Sequence, residues 1–219
     1  MELYGLMRRR FGFLNWWPGD TKDEIFIGAI LTQQTSWKNV EKAISNLKKS
    51  RAMSVSMLSR MDTAGIEKLV KPSGFYRQKA KRLKSLSSII MSKHRSLKGL
   101  FNLSAEKLRE TLLGMDGIGP ETADSIILYA AGKPTFVVDA YTKRIMHRVF
   151  GIDPSISYDG LKAIFESSLP KKLELYKDFH AQFVELGKRY CKTKPLCIEC
   201  PAFKLCKYAN FAFSDKASP

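Results

Sequence analysis

Apolar residues recur at helical spacing along most of the chain. The first strong run is Ile25, Phe26, Ile27, Ala29, Ile30 and Leu31, apolar on nearly all sides, as expected of a central helix. Thr21, followed three residues later by Glu24, opens it as a capping box. The pattern predicts further helices over 38–49, 55–61 and 62–70. Pro72-Ser73-Gly74 then breaks the chain. A long helix follows through FYRQKAKRLKSLSSIIMSKH, with Leu83, Leu86 and Ile90 on one stripe. Ser104 starts the next helix and Gly114 ends it. Pro120 sits where a first helical turn accepts proline, and that helix is expected to run to 131. After the turn Gly132-Lys133-Pro134, helices are expected from near Asp139 to Gly151, over 158–169 and over 172–190. β-Branched alternation is nearly absent, and 135–138 is too short to seed a sheet. The predicted fold is all-α.

Charge narrows the choice of partner. The 219 residues carry 37 Lys and Arg against 21 Asp and Glu, a formal net charge of +16. A polyanion, nucleic acid above all, is the favoured partner. No Asp or Glu occurs between Glu67 and Glu106, while Lys68, Lys71, Arg77, Lys79, Lys81, Arg82, Lys84, Lys93, Arg95 and Lys98 do. A solvated face normally mixes signs, so this run reads as a surface that follows phosphates. Hydrophobic content of 44% is that of a folded chain. No apolar stretch reaches the length of a membrane span, and the N-terminus lacks the apolar core of a signal peptide. A cytoplasmic protein is expected, associated with the nucleoid if prokaryotic, and a monomer.

Three motifs carry candidate chemistry. All four cysteines lie in Cys191-x5-Cys197-x2-Cys200-x5-Cys206. Thiols so spaced in an intracellular chain indicate a metal site rather than disulfides. Paired zinc knuckles are absent, which favours a loop around a [4Fe–4S] cluster, with zinc the alternative. Lys192 and Lys194 within that loop either meet a phosphate or are simply solvated. The second motif, Gly114-Met-Asp-Gly117-Ile-Gly119-Pro-Glu121-Thr122-Ala, reads as helix, tight turn, helix. Glycines at 117 and 119 clear side chains from the approach, so the turn's backbone N–H groups can meet a phosphate. An ordinary helical corner is the plainer alternative. Third, Asp139 follows Phe136-Val137-Val138 at a predicted helix start, where Asp is also a favoured N-cap.

The combination resembles the endonuclease III superfamily of DNA base-excision glycosylases. The matching pieces are LTQQTSW (31–37), GFYRQKAKRL (74–83), GMDGIGPETAD (114–124), VVDAYTKR (137–144) and the four-cysteine loop, in the family's order. One departure is the first cysteine gap, five residues where the usual family pattern has six. The resemblance implies two helical domains, 20–131 and 1–19 plus 132–219, with damaged double-stranded DNA across a cleft. It also implies that the hairpin grips the backbone through Gly117, Gly119 and Thr122, and that the damaged nucleotide is flipped out. The family's catalytic aspartate falls on Asp139, and Gln34 matches a glutamine that fills the space the base leaves. A carboxylate suits this chemistry, because cleaving an N-glycosidic bond builds positive charge on the sugar.

Bifunctional relatives carry a hairpin lysine that attacks C1′ and permits strand cleavage. Glu121 stands at that place here, and a carboxylate forms no Schiff base. A monofunctional glycosylase using water is therefore expected. Trp16-Trp17-Pro18, Trp37 and Glu121 look like the 3-methyladenine DNA glycosylase branch of the superfamily, whose best-known member lacks the four cysteines. Aromatic faces at Trp16, Trp17 and Trp37 and an acid at Glu121 suit a cationic alkylated purine, although core packing explains a tryptophan equally well. The alternatives are a glycosylase for uracil, mispaired thymine or oxidised bases, with or without lyase activity, and a DNA-binding protein that does no chemistry.

Overall fold

The computed structural model describes residues 1–14 and 19–214. Thirteen α-helices occupy them: α1 (Glu2–Phe11), α2 (Lys22–Leu31), α3 (Trp37–Lys49), α4 (Val55–Arg60), α5 (Thr63–Val70), α6 (Tyr76–His94), α7 (Leu97–Phe101), α8 (Ala105–Leu113), α9 (Pro120–Ser125), α10 (Ala140–Phe150), α11 (Tyr158–Ser168), α12 (Leu173–Arg189) and α13 (Lys207–Ser214). No strand forms among the described residues, in keeping with the all-α expectation. The helix expected over 120–131 changes character part-way: α9 passes into a π-helical turn, Ile126–Ala130, whose side chains are all buried. Three helices have no counterpart in the sequence reading: α1, α7 and α13.

The chain forms two compact units, Trp17–Lys133 and Met1–Trp16 with Pro134–Pro219. The first unit packs around α2, where Phe26, Ile27, Ile30 and Leu31 have no solvent exposure. Burial of this kind contributes roughly 1.5–3 kcal/mol per large side chain. Thr21 Oγ1 accepts from Glu24 N at 3.1 Å, as a capping residue should. The Glu24 carboxylate reaches Asp20 N, one residue before the expected partner. Lys48 Nζ then binds both Asp20 (2.9 Å) and Glu24 (2.8 Å), fixing α3 to the start of α2.

In the second unit, Phe136, Phe165, Tyr176, Phe179 and Phe183 build an aromatic core. Phe136 stacks on Phe165 at 4.0 Å between centroids, and Phe179 on Phe183 at 5.0 Å. Phe136, Val137 and Val138 are buried in a segment without regular secondary structure. Their backbone is satisfied by side chains instead: Phe136 N donates to Glu166 Oε1 (2.8 Å) and Val138 N to Tyr158 Oη (3.4 Å). Buried Asp178 on α12 accepts from Tyr4 Oη, Arg8 Nη1 and Leu14 N, which docks α1. Burial, with the Asp178 contact, pushes the Tyr4 hydroxyl up to about 12. Asp178→Ala should lower unfolding stability by about 2–4 kcal/mol, because it strands these donors. A denaturant melt checks this.

Candidate functional site

Asp139 caps α10. Its Oδ1 accepts from Thr142 N (2.7 Å) and Thr142 Oγ1 (2.8 Å). Its other oxygen, Oδ2, lies 3.6 Å from His180 Nε2 on α12. The cap therefore occupies one carboxylate oxygen and leaves the second facing an imidazole. Burial raises the carboxyl, but contact with His180 and the bonds from Thr142 outweigh it, and the group is held below its ordinary value. A buried carboxylate kept ionised in this way can stabilise a cationic transition state. Close approach of α10 and α12 depends on Gly187, where a Cβ would lie 2.2 Å from the Tyr141 ring.

An Asp held low stabilises the fold above its unfolded pKa of about 3.9 and loses that contribution as pH falls through the folded value. His180→Leu removes the counterweight to burial and lets the carboxyl rise. The acidic limb of base release should then move to higher pH. Single-turnover rates across the acid range measure the shift; an unmoved limb would detach His180 from Asp139.

The hairpin is built by α8 and α9. Arg109 Nε donates to buried Asp124 Oδ1 at 3.0 Å, tying one helix to the other. Met115 and Ile118 are buried beneath the turn, and Ile118 N closes it onto Met115 O at 3.2 Å. Residues 113–119 line a shallow open depression. Gly117 has φ +78°, and a Cβ there would lie 1.7 Å from Arg82 Nε. Gly117→Ala should therefore weaken duplex binding about tenfold, because the left-handed backbone that aims the turn's N–H groups is strained by a side chain; fluorescence anisotropy with a short duplex checks it. Thr122 is half-buried, and Glu121 is exposed in the first turn of α9, where an acid complements the helix dipole.

Two other turns of this unit hold strained, exposed residues. Gln34 has φ +54° and Phe75 has φ +47°, with Phe75 61% exposed. Neighbouring Gln33 is bound inward: its Nε2 donates to Gly117 O and Thr122 Oγ1, each at 3.1 Å, and its Oε1 accepts from Arg82. Trp37 begins α3. Its ring is half-buried against the core, with Nε1 donating to Glu41 (3.0 Å).

The four cysteines line one cavity of about 20 Å³, together with Arg148, Val149, Leu186, Tyr190 and Ala202. Burial and mutual repulsion push Cys197 up, and burial raises Cys200 to about 11. Such crowded thiols become thiolates only when a cationic centre repays the repulsion. Among the described residues, no three such donors are gathered tightly enough for a single metal ion. Four thiols facing one cavity supply the donor set that a tetrathiolate metal centre, cluster or zinc, requires. Two arginines of α10 hold the loop: Arg144 Nε donates to Cys191 O (2.8 Å), and Arg148 donates to Lys192 O (2.5 Å) and Thr193 O (3.1 Å).

Residues 27–171 match the family described as HhH-GPD superfamily base excision DNA repair protein. The chain belongs to this superfamily. A relative in Methanocaldococcus jannaschii, described as a putative DNA repair glycosylase, is 44% identical over 94% of each chain. The solved 3-methyladenine DNA glycosylase of H. pylori, bound to 1,N6-ethenoadenine, is 31% identical. That match covers 86% of this chain and 96% of the other, with a TM-score of 0.72. A trapped endonuclease III–DNA covalent intermediate shares the fold at 20% identity and TM-score 0.82, over 97% of this chain.

Within this HhH-GPD glycosylase, one expected position needs correction. Lys79, read as meeting DNA phosphates, is 2% exposed and donates to Leu31 O (2.8 Å) and Ser73 O (2.7 Å). Burial, then the adjacent Arg82 charge, pull its ammonium down to about 8. Lys192 and Lys194 are exposed. Trp16 and Trp17 lie outside the described residues. Sequence reasoning missed Gln33, Phe75 and His180. The LTQQTSW motif offered two adjacent glutamines, of which one turns inward and one outward. No helix among the described residues is long and apolar enough to cross a membrane.

Proposed function

We propose that this base-excision DNA glycosylase is monofunctional and hydrolyses the N-glycosidic bond of alkylated purines such as 3-methyladenine in duplex DNA. The observation that carries the reading is the acid Glu121 at the hairpin position where lyases keep an amine; Asp139, buried and held ionised in its own unit, supports it. Its likeness to the H. pylori 3-methyladenine glycosylase supports the substrate class. Asp139 Oδ2 is the catalytic oxygen in this reading: it offsets charge developing on the sugar and orients the attacking water. The hairpin around Gly117 and Gly119, with Thr122, holds the DNA backbone. Gln34 fills the space of the extruded base, and exposed Phe75 acts as an apolar wedge beside it. Trp16, Trp17, Trp37 and Glu121 favour a cationic base, and Lys192 and Lys194 add phosphate contacts. The protein acts as a monomer in the cytoplasm or nucleoid. Cys191, Cys197, Cys200 and Cys206 would hold a [4Fe–4S] cluster, which when bound cross-links the loop.

A base-release panel tests this: methylated DNA, and duplexes with uracil, mispaired thymine or 8-oxoguanine. Free 3-methyladenine is the expected product; release of thymine or uracil alone would overturn the substrate class. Borohydride should trap no covalent DNA adduct, since residue 121 offers no amine. Recovery of an adduct would defeat the monofunctional reading.

A further inference from the structure

Three turns of the first unit are joined through one face of α6. Lys79, buried in the first turns of that helix, reaches two carbonyls from different segments. Leu31 O closes α2 just before Gln33 and Gln34, and Ser73 O lies two residues before Phe75. Arg82, one turn further along, donates to Gln33, which in turn binds Gly117 O and Thr122 Oγ1 of the hairpin. Its guanidinium packs against Gly117, where a β-carbon would not fit. Gln34 and Phe75, which these bonds flank, both have left-handed backbone and exposed side chains. Left-handed non-glycine residues persist only where surrounding contacts over-determine them, and such strain gathers at working sites.

We propose that Lys79 and Arg82 are positioning residues that hold the turns bearing Gln34, Phe75 and the hairpin in one fixed arrangement for entering the base stack. The inference rests on the base-extruding reading above. A buried ammonium suits this role because three tetrahedral donors can satisfy carbonyls from separate segments, and removing them strands both acceptors. Arg82 adds a planar fork that the hairpin's glycine admits. Side chains set this way reach the DNA without first paying to order themselves.

The test uses the full-length protein and a duplex with a tetrahydrofuran abasic analogue, with 2-aminopurine on the opposite strand. Side chains entering the stack unstack the 2-aminopurine and raise its fluorescence. Lys79→Met and Arg82→Met should bind this duplex within about threefold of wild type, yet lose most of the fluorescence rise at saturating protein, with base release slowed about tenfold or more. Gln33→Leu should behave like Arg82→Met. A purely structural role would lower the melting temperature without changing the signal of the saturated complex. Wild-type fluorescence at saturation in both methionine variants would therefore overturn the proposal. Wild type that prefers the abasic duplex yet shows no rise would also overturn it. Wild type with no preference for the abasic over the undamaged duplex would instead defeat the glycosylase reading beneath it.

Discussion

Asp139→Asn should all but abolish base release while leaving duplex binding and the fold intact. Asn keeps an Oδ1 that accepts from Thr142 N and Thr142 Oγ1, the two bonds that cap α10. Asn and Asp are comparable N-caps, so the helix start survives the change. What disappears is the negative charge facing His180 at 3.6 Å. A neutral amide stabilises a cationic sugar poorly and is no base for water. The expected loss is about 10³-fold or more in the single-turnover rate, equivalent to roughly 4 kcal/mol of transition-state stabilisation. Single-turnover release and anisotropy on the same duplex separate chemistry from binding. Retained release would reduce Asp139 to a cap.

The second large effect concerns the cysteine loop. Cys197→Ala should yield a colourless protein with little iron, in which residues 191–206 exchange amide hydrogens far faster than in wild type. The loop has little apolar burial of its own: Ile198 is 78% exposed and Leu196 45% exposed. Its internal bonds are short turns such as Cys200 N to Cys197 O and Phe203 N to Cys200 O, each 3.0 Å. Such a segment depends on its cross-link, and losing one closes no core in its place; about 3 kcal/mol of stability should go with it. Visible absorption, iron analysis and hydrogen exchange read the three consequences independently. A colourless wild-type protein containing zinc would refute the cluster.

Local signals were the most legible part of this fold. Thr21, Ser104, Pro120 and Asp139 mark helix starts through side chains that act within one turn, and each does so in the structure. The π-helical turn at Ile126–Ala130 left no such mark, because an unbroken apolar run fits an α- or a π-helix alike. Charge was legible in sign but not in direction. Lys79 belongs to the one-sign run, but it also falls on the stripe that continues through Leu83, Leu86 and Ile90, and that stripe is buried. Helical spacing held the answer, and the charge pattern obscured it. His180 was invisible beside Asp139 because forty-one residues separate them, and only the packing of α10 on α12 brings them together. Gln33 and Gln34 differ in backbone angle, which no residue type announces.

α10 links the carboxylate to the cysteine loop. Its first turn is fastened to Asp139, and its later turns, through Arg144 and Arg148, grip the backbone of that loop. Over eleven residues the helix spans about 16 Å. It is short and stiff enough to carry a displacement from one end to the other. The loop and the carboxylate are therefore two ends of one lever: whatever shifts residues 191–193 pulls on the same rod that carries Asp139 at its other end.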